Sequence, residues 1–190
     1  MGREELRHVG WNWMTSRRAF ALECESFEHH ISPKMNILIW NCRGAMKPSF
    51  RSSIRDLTKF HSPGIVVVTE TRISGSRAGY ILRSLPYDGI HTTDPIGYAR
   101  GIWLLWRKDM ADLEVLATIE QEIHAIVKVY NFDHPWLLSS IYGSPRFAER
   151  KILWENLCPV STLHIFPGPL WDILLMVSTT LKNWGEIELT

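Results

Sequence analysis

Two polar side chains stand where apolar runs of the chain stop. Met35 to Trp40 reads as a buried strand, and it gives way to Asn41, Cys42, Arg43 and Gly44. Ile65 to Thr69 is a second, β-branched run of the kind buried on both faces of a sheet, and Glu70 follows it. Polar residues at the carboxyl ends of strands in an α/β sheet commonly line a site, because loops there are free of the packing demand. Were the two strands neighbours, one amide and one carboxylate would come within reach of a single ion. Such a donor pair suits Mg²⁺, which takes one or two carboxylates and keeps waters for a substrate phosphate. The alternative is that Asn41 merely opens a turn and Glu70 is a solvated loop residue; motifs this short are weak by themselves.

Other reactive residues carry less. His29-His30 has no acidic or cysteine partner at metal spacing, so a solvated position is the better reading. Cys24, Cys42 and Cys158 lie far apart and form no CxxC pair, which fits a reducing, intracellular compartment. Cys42 follows Asn41 but has no histidine tied to it, which argues against a nucleophile. Arg51, Arg55 and Lys59 recur at helical spacing; they face phosphate or, more commonly for such a run, only solvent. Trp103 and Trp106 are expected to straddle a core strand rather than stack on bases.

The elements that must position these residues are legible in the middle of the chain. With 190 residues, 45% of them hydrophobic, one domain with a sizeable core is expected. The formal charge of +1 argues neither for nor against nucleic acid. Strands are predicted at 36–40, 65–69, 101–106, 113–119, 123–130 and 136–142, with "NFDHP" as a hairpin-like turn between the last two. Helices are predicted from Phe50, with Ser49 as N-cap, from Arg77 to Leu85 before Pro86, and from Ser144-Pro145 through Leu157. Residues 1–34 read as a leader, poorly structured or with a short helix around 18–27, and Met35 could itself be a start. From Cys158 onward three prolines within eleven residues break the pattern. The first residues lack the apolar core of a signal peptide, and Leu170 to Leu181 contains Asp172 and is too short to span a bilayer, so a soluble protein is expected.

Taken together and in order, "IWNCRGA", "VVVTETR", "ARGIWLLWR" and "SSIYGSP" resemble the endonuclease/exonuclease/phosphatase superfamily. Within it the set is most similar to the endonuclease domain of plant LINE-type (non-LTR) retrotransposon polyproteins, over Met35 to about Leu157. The resemblance implies an α/β fold, the DNase I-like four-layer sandwich, here incomplete and represented mainly by its first sheet and flanking helices. It implies a Mg²⁺-dependent hydrolase that nicks DNA. By motif, Asn41 would contact metal or phosphate, Glu70 would be the principal metal carboxylate, and Tyr142 would hydrogen-bond a phosphate oxygen. Gly143-Ser144-Pro145 departs from the asparagine that many relatives carry after that tyrosine.

The family's second half supplies an Asp-x-Asn motif and a terminal Asp-His pair that activates water. The nearest match in the tail, Asp172-Ile173-Leu174, has leucine where asparagine is required. Asp133-His134 sits in a hairpin between early strands and reads as a polar turn. The expectation is therefore the first half of such a domain at 35–157, with 158–190 an unrelated, frame-shifted or mis-spliced tail, and no activity. A non-enzymatic fragment that binds nucleic acid or protein is the alternative, and a small-molecule phosphatase of the same superfamily is a third. Without a second sheet, the strands at 37–39, 65–68 and 102–105 are expected to expose an apolar face.

Overall fold

The computed structural model describes residues 10–16, 19–25, 35–95, 101–119, 121–130, 135–144, 147–162 and 173–179. Strands β1 (Gly10–Ser16), β2 (Ala19–Glu25) and β3 (Asn36–Asn41) come first, then helix α1 (Phe50–His61) and strand β4 (Ile65–Thr69). Helix α2 (Gly75–Leu82) leads into β5 (Gly89–Thr92), β6 (Ile102–Trp106), β7 (Ala111–Ile119), β8 (Glu122–Val129) and β9 (Trp136–Gly143). Helix α3 (Phe147–Thr162) and strand β10 (Ile173–Thr179) complete the order.

The strands form two sheets, one ordered β1-β2-β3-β4-β6-β5 and the other β10-β9-β8-β7. Period-two alternation explains how they layer. Along β3, β4 and β6 one set of side chains is Ile37, Ile39, Ile65, Val67, Ile102, Leu104 and Trp106. It shares a core cluster with Ala111, Leu113, Ile123, Ala125, Val127, Leu138 and Tyr142 of the second sheet. The opposite set, Leu38, Trp40, Val66, Val68, Trp103 and Leu105, packs with Phe50 and Ile54 of α1 and Ala78, Ile81 and Leu82 of α2. On the far side of the second sheet Ile141 packs with Leu153 and Leu157 of α3, one helical turn apart. The order of layers is helix, sheet, sheet, helix, which is the α/β-sandwich class expected from the motifs. Trp103 and Trp106 do straddle β6, Trp103 meeting Phe50 edge-on at 5.8 Å between ring centroids.

Several expectations are corrected. The apolar face of β3, β4 and β6 is not exposed: Ile37, Ile65, Val67 and Leu104 are buried against the second sheet. That sheet needs only β7, β8 and β9 to cover it, all of them within the organised part of the sequence. The short helix expected over 18–27 is strand β2 over residues 19–25, antiparallel to β3 with Ala19 opposite Trp40. An inner strand leaves main-chain donors and acceptors on each edge, and they require a partner. The sequence does carry a period-two signal there, Phe20, Leu22 and Cys24 alternating with Ala21, Glu23 and Glu25. Beyond residue 157 the chain continues α3 to Thr162 and adds β10 parallel to β9, Ile173 opposite Leu137. A parallel strand reached by a helical crossover reads as a continuous apolar run, so missing alternation was no argument against it. Helix α3 is described from Phe147, the expected first residue Pro145 lying outside the described residues, and β5 was not foreseen. Ser49 occupies the N-cap position of α1, yet its side chain makes no capping bond.

The two-sheet core makes a direct prediction. Leu138→Ala deletes fully buried volume between the sheets and should cost about 2–5 kcal/mol in urea unfolding. Phe60→Ala, at a side chain 81% exposed on α1, should stay within about 0.5 kcal/mol of the parent.

Candidate functional site

Strands β3 and β4 run parallel and in register, Asn41 opposite Thr69, so their carboxyl ends open side by side. The pairing continues into the loops. Cys42 N donates to the Thr69 carbonyl at 3.1 Å, Ala45 N to the Thr71 carbonyl at 2.8 Å, and Thr71 N to the Gly101 carbonyl at 3.3 Å. Three non-glycine residues in these two loops take left-handed backbone, Arg43 (φ 53°), Glu70 (φ 55°) and Arg72 (φ 59°). Each costs about 1–2 kcal/mol in an L-residue and persists only where surrounding contacts hold it. Gly101 has φ 74°, and a Cβ there would lie 2.5 Å from Thr71 Oγ1, so glycine is required beside this loop.

Glu70 is 0% exposed. Asn41 Nδ2 donates to its Oε1 at 3.1 Å, and Arg72 Nη2 donates to its Oε2 at 2.7 Å. Asn41 is itself oriented, because its Oδ1 accepts the Arg43 main-chain N–H at 3.2 Å. The amide and the carboxylate expected to meet at two strand ends are thus in direct contact. Sequence reasoning did not assign Arg72, although it sits inside the quoted "ETR". Tyr142 stands near the carboxyl end of β9, 1% exposed, in the core cluster shared by the two sheets. Gly143 and Ser144, where the motif departs from the family pattern, are also buried. His29-His30, Asp133-His134 and Asp172 lie outside the described residues.

Among the described residues no group of three or more His, Cys, Asp or Glu side chains is placed to hold a metal ion. The donor set at this site is therefore one carboxylate with one amide beside it. That is sparse but chemically suited to Mg²⁺, whose remaining positions are water or phosphate. Cys42 is disqualified as a nucleophile: its Sγ lies 3.4 Å from the Glu70 carbonyl, and burial pushes its pKa up to about 12, the Glu70 charge adding to the effect. Arg51, Arg55 and Lys59 are exposed on α1, and Arg51 lies over the Tyr80 ring of α2 at 4.9 Å.

The sequence reading missed a second polar cluster. His124 on β8 lies opposite Ser139 on β9, and its Nδ1 is 2.8 Å from Ser139 Oγ. Its Nε2 is 2.9 Å from Glu122 Oε2, and Asn156 of α3 donates to Glu122 Oε1 at 3.3 Å. With hydrogen on Nε2 the ring donates to the carboxylate and accepts the serine hydroxyl on Nδ1, which satisfies every member. Glu122, His124 and Ser139 are buried, and the Asn156 hydrogen bond ties α3 to the second sheet through them. The signal was the spacing of Glu122 and His124, two apart and therefore on one face of a strand.

No family model matches the chain, and no curated protein matches it. Among solved structures it is similar to D. rerio TDP2 complexed with a single-strand DNA product, at 14% identity and TM-score 0.49, over 70% of this chain and 56% of that one. It is similar to the human Nocturnin catalytic domain with bound sulfate, at 13% identity and TM-score 0.48, over 67% and 59%. A functionally unknown conserved protein from Enterococcus faecalis matches at 14% identity and TM-score 0.45, over 64% and 60%. The chain spans less than two thirds of the length of each of these structures.

The Cys42 environment gives a measurable expectation. A thiol whose pKa is raised to about 12 stays protonated at neutral and mildly alkaline pH. Iodoacetamide at pH 8 should therefore label Cys42 far more slowly than a free cysteine, and only unfolding should release it. Rapid stoichiometric labelling of the folded chain at Cys42, read by mass spectrometry, would contradict the described burial.

Proposed function

We propose that the chain carries the metal-and-phosphate part of a Mg²⁺-dependent phosphodiesterase site of the endonuclease/exonuclease/phosphatase kind, with DNA as the substrate class. The observation that carries the reading is the contact between Asn41 and Glu70 at the ends of adjacent parallel strands. In this reading Glu70 holds the cation, Asn41 orients the carboxylate, and Tyr142 donates to a phosphate oxygen. Mg²⁺, when bound, supplies Lewis-acid polarisation of the phosphoryl group. The motif set supports the finer assignment to the LINE-type, non-LTR retrotransposon branch.

The same reading makes this chain inactive as a nuclease. Its sequence lacks the Asp-x-Asn motif and an Asp-His pair in the expected place, and a missing general base alone costs about 10²–10⁴ in rate. Purified protein should bind Mn²⁺ in a manner lost in Glu70→Gln, yet leave supercoiled plasmid intact in Mg²⁺. Nicking that disappears in Glu70→Ala would overturn the inactivity; Mn²⁺ binding indifferent to Glu70→Gln would overturn the metal site.

The origin of 158–190 as a frame-shifted or mis-spliced segment belongs to the same proposal and has its own test. Genomic sequence downstream of codon 157 should encode a Gly-Asp-Phe-Asn-like motif in another frame, followed later by an Asp-His pair. A locus with neither in any of the three frames would dismiss that origin.

A further inference from the structure

We infer that Arg72 is the resident counter-ion of Glu70, and that a divalent cation binds there only by displacing it. This rests on the reading of Glu70 as a metal carboxylate and assigns a role to a residue outside that reading. The buried carboxylate offers two oxygens. Oε1 receives the amide of Asn41, which Arg43 N–H anchors at its other end. Oε2 receives the Arg72 guanidinium at 2.7 Å. A Mg²⁺–oxygen bond is about 2.0–2.1 Å long, so a cation on Oε2 would stand almost against that guanidinium in a poorly solvated setting. One of the two positive charges has to leave.

Arg72 is the one built to move. Its side chain is 46% exposed, so its head can regain water as it swings out, whereas Asn41 is tied at both ends. Gly44 has no side chain to press on it: a Cβ there would already stand in van der Waals contact with Arg72 Cδ, at 3.8 Å. The released guanidinium remains at the rim of the site, where its planar fork suits a phosphate oxygen pair. Arg72 is thus a positioning residue with two states. It neutralises Glu70 while no cation is present, and it becomes available to an anionic substrate once a cation arrives.

The test uses the full chain and Mn²⁺ as probe, with bound ion measured by electron paramagnetic resonance. Arg72→Gln, which keeps a donor and removes the charge, should tighten Mn²⁺ binding by roughly two- to tenfold, the range of a partly exposed ion pair. The gain should vanish in Arg72→Gln/Glu70→Gln. Lys47→Ala removes another cation beside Gly44, and should change binding less than twofold. Unchanged or weaker binding in Arg72→Gln, or an equal gain in Lys47→Ala, overturns the inference while leaving a Glu70 metal site standing. Absence of Glu70-dependent binding in both the parent and Arg72→Gln removes the metal reading itself, and this inference with it. A measurement on the unaltered chain serves where the variant fails to fold: Mg²⁺ should accelerate phenylglyoxal modification of Arg72, read by peptide mass spectrometry. A rate indifferent to Mg²⁺ overturns the displacement.

Discussion

A carboxylate with no solvent exposure must find its partners inside the protein, and Glu70 finds a counter-charge in Arg72 and a hydrogen-bond donor in the neutral amide of Asn41. Leaving a buried carboxylate without donors costs several kcal/mol, enough to threaten a domain of ordinary stability. The surroundings follow from that constraint. Asn41 has to end the neighbouring parallel strand, the loops after β3 and β4 have to be laced together, and Gly101 has to leave space for Thr71 beside them. Three left-handed backbone residues in so short a stretch are tolerable because those contacts over-determine the loops.

Beneath the site lies a sandwich whose rigidity comes from two faces of one set of strands. The sheet of β3, β4 and β6 is covered by helices on one side and by the second sheet on the other. Burial on both faces explains why β4 is apolar at every position from Ile65 to Val68. It also makes the geometry at the strand ends stiff, since a strand gripped from both sides cannot shift register without exposing its core residues.

The buried cluster of Glu122, His124, Ser139 and Asn156 does comparable work on the far side. Its residue types match a hydrolytic triad, but burial under α3 and the absence of an exposed serine give it a structural meaning. Its hydrogen bonds orient α3 against the sheet in a way that the contact of Ile141 with Leu153 and Leu157 alone does not.

Much of this was legible in the residues alone. The apolar runs, the flanking helix periodicity and the motif order point to β3, β4 and β6 to β9, the layer class and the pair of residues that meet. Those features are local: a strand's alternation and a helix's spacing are written in neighbouring residues. What tertiary structure decided was pairing over distance. Whether Phe20, Leu22 and Cys24 form a strand depends on β3 offering a free edge. An apolar run such as Ile173–Thr179 becomes a strand only because α3 returns it beside β9. Arg72 becomes the partner of Glu70 because two left-handed residues turn its guanidinium onto the carboxylate, and His124 meets Ser139 only through the β8–β9 register. Composition holds no record of those contacts: the Glu70–Arg72 pair is local but depends on left-handed backbone that the loop contacts hold in place, and the others are set by the pairing of separate elements.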